Sequence, residues 1–210
     1  MKYFTLIVLF TVFSCGNKEA VLMPKANTTI VKDVVDLSPI YIFFRTKGKD
    51  TLAEVNRKNS IISTNWILNV DKRLPLRLTI PEIMKLQQKK REEKAHKNEK
   101  AENYYSYADT IGKNLAFIPF TNVYYKMEKP KSEIVVFFTK NNEILVDDIV
   151  VKQEELQAYL NKAPHNKSIQ YIFCFDKNLN FGSYIQDKIF INSLKLPSSE
   201  FNIKQEEFIF

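Results

Sequence analysis

The C-terminal third of the chain alternates strand-like and helix-like segments, and this order restricts the possible folds more than any other feature. Two short apolar runs flank Asn141-Asn142 and predict a β-hairpin. The patterns predict strands at 134–139, 144–147, 168–175 and 201–210, and amphipathic helices at 152–162 and 184–194. The order β-β-α-β-α-β predicts an α+β two-layer sandwich with both helices on one face of the sheet.

Residues 39–130 have a less regular pattern, which also indicates a mixed α+β region. Strands are predicted at 40–44 and 60–70 because both runs are rich in apolar β-formers. Thr79 is the predicted N-cap of a helix. The segment from Gln87 to about Glu102 is almost wholly charged, so we expect a long charged helix that protrudes into solvent. No function is readable from this region.

The first residues, MKYFTLIVLFTVFSC, have the organisation of an export signal. Lys2 precedes the ten-residue apolar run Phe4–Phe13, whereas a membrane-spanning helix needs about 20 apolar residues. The sequence Val12-Phe13-Ser14-Cys15 resembles the lipobox of bacterial lipoproteins. That resemblance implies a signal peptide at 1–14, cleavage before Cys15 and acylation of its thiol.

Residues 15–38 are polar-leaning and are predicted to form a tether between the lipid and the folded chain. We therefore expect the protein to be attached to a membrane of the cell envelope through lipid on Cys15, with its folded part facing the periplasm. The outer membrane is the favoured location. Two alternatives stay open: a plain secretory signal with an accidental cysteine, and a retained transmembrane anchor.

The formal net charge of +7 is concentrated in residues 85–100, which contain seven Lys/Arg and three Glu. Runs of mixed sign are mostly solvated helix faces, and that is the favoured interpretation. An anionic partner such as a membrane surface or a wall polymer is the alternative. No aromatic residue is interleaved with the run, so we expect no nucleic acid partner.

The residues that could carry chemistry do not form a recognisable catalytic pattern. His96 and His165 are isolated, and Cys174 is expected to be a small buried hydrophobe. Asp147 and Asp148 are adjacent, so a strand would send them to opposite faces. Four glycines in 210 residues do not make a phosphate loop. We expect a protein that is not an enzyme and that uses no cofactor and no metal.

The segment Asp176-Lys177-Asn178-Leu179-Asn180-Phe181-Gly182 carries a family resemblance. Together with Val146-Asp147 after the Asn-Asn turn and with Glu154-Glu155-Leu156, it resembles the periplasmic domain of the ExbD/TolR family over residues 131–210. The resemblance implies that Asp176 and Lys177 end a strand and that Phe181 fills the core. Gly182 would then let the backbone enter the next helix.

The same resemblance implies a binding function, to a second copy as a homodimer or to an envelope protein. No Asp or Glu lies between Met1 and Glu19, whereas proton-driven members of the family need an acidic residue in a membrane helix. We therefore expect a non-enzymatic cell-envelope lipoprotein. The alternatives are a component of a TonB/Tol-type energy-transducing (biopolymer transport) complex and a peptidoglycan-binding module.

Overall fold

The computed structural model describes residues 20–95, 97–131, 134–162, 171–195 and 205–210. The predicted signal peptide and Cys15 lie outside these ranges. The predicted α+β class is confirmed, because the described chain folds into two mixed sheets and three helices.

The first sheet is built from residues 25–119. Its strands are β1 (Lys25–Ala26), β2 (Leu37–Lys47), β3 (Asp50–Asn56), β4 (Asn65–Val70), β5 (Asn103–Asp109) and β6 (Asn114–Pro119). The order across the sheet is β3-β2-β4-β5, with β6 antiparallel and the short β1 parallel to β5. Helix α1 (Leu76–Glu92) connects β4 to β5.

The second sheet is built from residues 123–209. Its strands are β7 (Val123–Lys126), β8 (Ile134–Phe138), β9 (Ile144–Val146), β10 (Ile149–Val151), β11 (Tyr171–Phe175) and β12 (Gln205–Ile209). The order is β10-β9-β8-β11-β12-β7. Helix α2 (Gln153–Lys162) precedes β11, and helix α3 (Phe181–Ser193) lies between β11 and β12 in the chain.

The two sheets repeat one topology. In the first module (residues 37–109) an antiparallel hairpin, β2-β3, is followed by β4, helix α1 and β5, with β2, β4 and β5 parallel. In the second module (residues 134–209) the hairpin β8-β9 is followed, after the additional β10 and α2, by β11, helix α3 and β12, again with three parallel strands. The chain therefore contains two copies of the same arrangement.

The repeat extends to individual side chains. Asp71-Lys72 follows β4 and Asp176-Lys177 follows β11, and each helix begins five residues after its aspartate. Five core positions match in spacing: 76, 79, 80, 83 and 86 in α1, and 181, 184, 185, 188 and 191 in α3. The two helices and the inner faces of both sheets form one continuous hydrophobic core.

The parallel strands of the two sheets run in the same direction. Near the end of α1, the Lys90 ammonium donates to the carbonyl of Thr64, just before β4. Gln87 and Arg91 donate to the carbonyl of Val123, where β7 begins. The starts of the parallel strands therefore lie at one end of the molecule and their carboxyl ends lie together at the other.

The expectation of a long charged helix is wrong. Helix α1 begins at Leu76 and ends at Glu92, and Thr79 is not its N-cap but a buried residue whose Oγ1 donates to the Pro75 carbonyl at 3.1 Å. Lys90 is also buried, with its ammonium over the Trp66 ring. The helix ends at Glu92, and the Lys90 ammonium donates to the carbonyls of Thr64 and Glu102, which holds the end of α1 against the first sheet.

Two other segments differ from expectation. Asp147 and Asp148 are not on a strand, because their φ angles of +48° and +66° form a two-residue turn between β9 and the additional strand β10. Residues 22–31 of the expected tether are docked: the Leu22 amide donates to Asp71 at 3.2 Å, and the Tyr107 hydroxyl donates to the Thr28 carbonyl at 2.8 Å. Docking follows because this segment supplies backbone partners to the end of β5.

Candidate binding site

The two modules meet through the loops that follow β4 and β11. The Gly182 amide donates to the Lys72 carbonyl at 3.0 Å and the Phe181 amide to the Leu74 carbonyl at 2.8 Å. In return, residues 76 and 77 donate to the carbonyls of residues 179 and 177 at 2.9 and 2.7 Å. These reciprocal bonds give the pair of modules an approximate two-fold relationship.

The family-motif residues lie at this contact. Asp176 holds its own loop, accepting from the amides of Asn178 at 2.8 Å and Lys140 at 3.4 Å, while Lys177 is exposed. Phe181 is fully buried, as expected. The role of Gly182 differs from the expected one. A Cβ at this position would lie 3.1 Å from the Cβ of Lys72, so the close approach of the two loops favours a small residue here, and a glycine-specific backbone conformation is not the cause.

A row of hydrogen-bonded, buried polar side chains extends from the first module into the second. It was not predicted from the sequence. The hydroxyls of Tyr105 and Tyr125 share a hydrogen bond of 2.6 Å, and those of Tyr125 and Tyr184 share one of 3.2 Å. Tyr184 donates to Glu207 at 2.7 Å, and the other carboxylate oxygen of Glu207 pairs with the Lys188 ammonium. Lys188, a charged residue on the otherwise apolar face of α3, was the sequence signal that could have indicated this network.

These buried side chains hydrogen-bond to one another. Burial raises the pKa of Tyr105 and Tyr184 well above the usual range of a phenol, so both hydroxyls remain protonated donors. Tyr105, Tyr184 and Glu207 are at most 1% exposed, so a solute would reach them only if the core opened. Their arrangement satisfies buried polar groups between the modules.

One carboxylate differs between the modules. Glu82 of α1 pairs with Arg57 at 2.8 Å and Lys85 at 2.5 Å. Asp187 occupies the matching position in α3, and its buried Oδ2 accepts no hydrogen bond from the described residues. Burial raises the pKa of Asp187 to about 7.

The outer edges of the two hairpins are the clearest asymmetry. In the second module, strand β9 is covered on its outer side by β10. In the first module, the matching strand β3 is longer and, among the described residues, pairs only with β2. A two-residue turn joins Lys47 to Asp50, so the amides of Thr51, Ala53 and Val55 point away from β2. This outer edge of β3 is the candidate binding site.

Other candidate groups do not assemble into a second site in the ranges that the structure describes. Cys174 is buried, and burial raises the pKa of its thiol to about 12, which makes it an unreactive packing residue. No group of three His, Cys, Asp or Glu side chains within those ranges is placed to hold a metal ion. None of the described helices is long and apolar enough to cross a membrane. His96 and His165 are outside the described residues.

Comparisons with known proteins identify no relative: no family model, no curated protein and no solved structure matches the chain.

Proposed function

We propose that this chain is a lipid-anchored cell-envelope protein that binds an extended segment of a partner protein along the outer edge of β3. The observation that carries the proposal is the difference between the modules. Strand β10 adds to the hairpin edge of the second module, while no strand of the described residues pairs with the corresponding edge of the first. Strand addition supplies main-chain hydrogen bonds to such an edge.

The shape of β3 supports this assignment. Its seven residues can offer three outward amides, more than twice the span that β10 covers on β9. The side chains of Ala53 and Val55 pack against the core, which holds the strand in an extended conformation before a partner arrives. A preformed edge lowers the entropic cost of binding.

Attachment to the envelope is supported by the lipobox-like sequence ending at Cys15 and by the short apolar run before it. The ExbD/TolR-like assignment of residues 131–210 is supported by the order of strands and helices, to which β10 is an addition. A binding role, rather than an enzymatic one, fits a molecule whose polar core groups serve packing.

Two measurements test the proposal. Metabolic labelling with a clickable fatty acid should tag the protein, and Cys15→Ala should remove the tag. A photo-crosslinker at Thr51 should give a product of defined mass in cells, lost in Ala53→Pro and kept in Ala53→Ser. Proline removes one outward donor and is tolerated on an edge strand.

The control position is Leu115 on β6, which is exposed at the opposite side of the same sheet. Equal crosslinking from Leu115, or a product that survives Ala53→Pro in the folded protein, would contradict binding at β3. A product of twice the chain mass would identify a second copy as the partner.

A further inference from the structure

The carboxyl ends of the parallel strands collect positive charge on the first module. The loops at 45–50 and 71–77 contain six Lys/Arg and two Asp, a net charge of +4. The exposed charged residues among them are Lys47, Lys49, Asp50, Arg73 and Arg77. We call the surface formed by these two loops the basic end.

Asp71 at the basic end and Asp109 beside it are turned inward, whereas Asp50 is exposed. The Asp71 side chain is 1% exposed, accepts from the Leu22 amide and pairs with Arg73 at 2.8 Å. On the neighbouring strand, Asp109 accepts from Thr29 and from the amides of Ile111 and Gly112. The two inward carboxylates therefore hold the loops while the lysines face solvent.

The first residues that the structure describes dock beside the basic end. Leu22 is bonded in both directions there, since its amide donates to Asp71 and its carbonyl accepts from the Lys72 amide at 2.8 Å. Leu22 is seven positions after Cys15, and seven steps of extended backbone span at most about 25 Å. A lipid on Cys15 would keep this end of the molecule close to the membrane whatever the path of the connection.

Apolar side chains border the basic end. Ile111, in the loop after β5, is 73% exposed, and Leu22 is 44% exposed. An exposed aliphatic side chain beside lysines is a combination suited to a lipid headgroup region.

The run at 85–100 has the same net charge but lies at the other end of the molecule. Helix α1 carries the chain about 25 Å away from the basic end over its 17 residues. Lys90 is buried, Arg91 donates to the Val123 carbonyl, and Lys85 pairs with Glu82. These three of its seven cations have partners within the protein, although the side chains of Lys85 and Arg91 remain exposed.

We infer that the basic end is a docking surface for an anionic phospholipid membrane, which orients the lipid-anchored protein with the 85–100 run pointing away from the bilayer. The inference rests on the proposed lipidation of Cys15. Each lysine or arginine near an anionic surface strengthens binding about fivefold, and the effect extends over a Debye length of about 8 Å. Acyl chains and a basic surface together are the usual pair of signals for stable attachment.

The test uses the full mature chain, acylated on Cys15 and reconstituted in vesicles. A fluorophore is placed on Lys49→Cys at the basic end or on Lys94→Cys at the other end, and headgroup-located quencher lipid reports the distance. Cys174 is buried and should not react. In phosphatidylglycerol-containing vesicles, quenching should be several times stronger at position 49, and about 0.5 M NaCl should reduce the difference because the Debye length falls to ~4 Å.

A second measurement uses the unlipidated mature chain, Cys15→Ser, in vesicle sedimentation. The triple variant Lys47→Glu, Lys49→Glu and Arg77→Glu should lower partitioning to anionic vesicles by about tenfold or more. The matched control changes the same total charge at the other end: Lys58→Glu, Lys94→Glu and Lys100→Glu should have a smaller effect.

Equal quenching at both positions, equal losses in both triple variants, or equal binding to phosphatidylcholine vesicles would overturn the inference. Failure of the underlying lipidation is separately visible as an absent fatty-acid tag. A protein that is tagged but shows no preferred end refutes the docking surface alone.

Discussion

The backbone of Gly182 lies directly against that of Lys72, with a hydrogen bond of 3.0 Å from the glycine amide to the lysine carbonyl. The two residues belong to different modules and follow matching strands, β11 and β4. Their contact is one of the reciprocal bonds that give the approximate two-fold relationship. It also explains why a motif that looks local in the sequence controls how the two halves of the chain assemble.

The first prediction concerns Phe181, which is fully buried at this contact. Its ring meets Tyr105 of the first module edge-on at 5.2 Å. Phe181→Ala should lower the free energy of unfolding by about 3–5 kcal/mol, because it removes a large apolar side chain and leaves a cavity. Urea unfolding of the mature chain measures the loss. Leu115→Ala, on the surface, is the control, and an equal loss in both variants would contradict the assignment of Phe181 to the core.

The second prediction concerns the buried pair Lys188 and Glu207, whose side chains are 7% and 2% exposed. Glu207→Ala should cost about 3–5 kcal/mol, because an unpaired ammonium would remain in the core. The double variant Glu207→Leu with Lys188→Met should cost less than that single change, since neither charge is left behind.

The comparison for this pair is a surface ion pair, Arg45 with Glu54. Glu54→Ala should cost less than about 1 kcal/mol, because solvent screens exposed pairs. Chemical denaturation of the four proteins checks both statements. A double variant that is less stable than Glu207→Ala would show that the pair stabilises the fold by more than mutual neutralisation.

The third prediction concerns the pH dependence caused by Asp187. Burial raises its pKa to about 7 from the ordinary 3.8, so the folded state holds this proton more tightly than the unfolded chain does. Its effect on stability is therefore absent below about pH 4, grows as pH rises, and is complete above about pH 7, where the fold is weakened.

Asp187→Asn should remove that loss and increase the free energy of unfolding at pH 8 by about 1–3 kcal/mol relative to the unchanged protein. The matched control is Glu82→Gln. Lys85 and Arg57 outweigh burial and lower the pKa of Glu82, so its contribution has the opposite sign and disappears as pH falls. Thermal melts from pH 4 to 8 check this, and parallel curves for Asp187→Asn and the unchanged protein would refute it.

The fourth prediction concerns the C-terminal residues. Strand β12 lies within its own sheet, between β11 and β7, and Ile209 is fully buried. Removing residues 208–210 should destabilise the protein by about 3–6 kcal/mol through lost burial of Phe208 and Ile209. Light scattering should show no change in the oligomeric state. A truncated chain of unchanged stability but lower mass would instead indicate pairing of this tail across a dimer.

Much of the fold follows from local pattern. The helix at 152–162, the hairpin around Asn142 and the burial of Phe181 and Cys174 agree with the structure, because periodicity and turn chemistry act over a few residues. The internal repeat was not predicted, although Asp-Lys-x-Leu occurs at 71–74 and again at 176–179. The candidate site at β3 was not predictable, because an edge is defined by which strands fail to pair with it.

The sequence by itself determined elements such as helix α2 and the hairpin β8-β9 and, through its first fifteen residues, the expectation of export and lipidation. Only the tertiary structure decided how charged and polar residues are used. Lys90, Lys188 and Glu207 look like surface residues in the sequence, but each is buried against partners supplied by other parts of the chain. Their partners are chosen by packing across long separations, and local composition carries no information about such pairings.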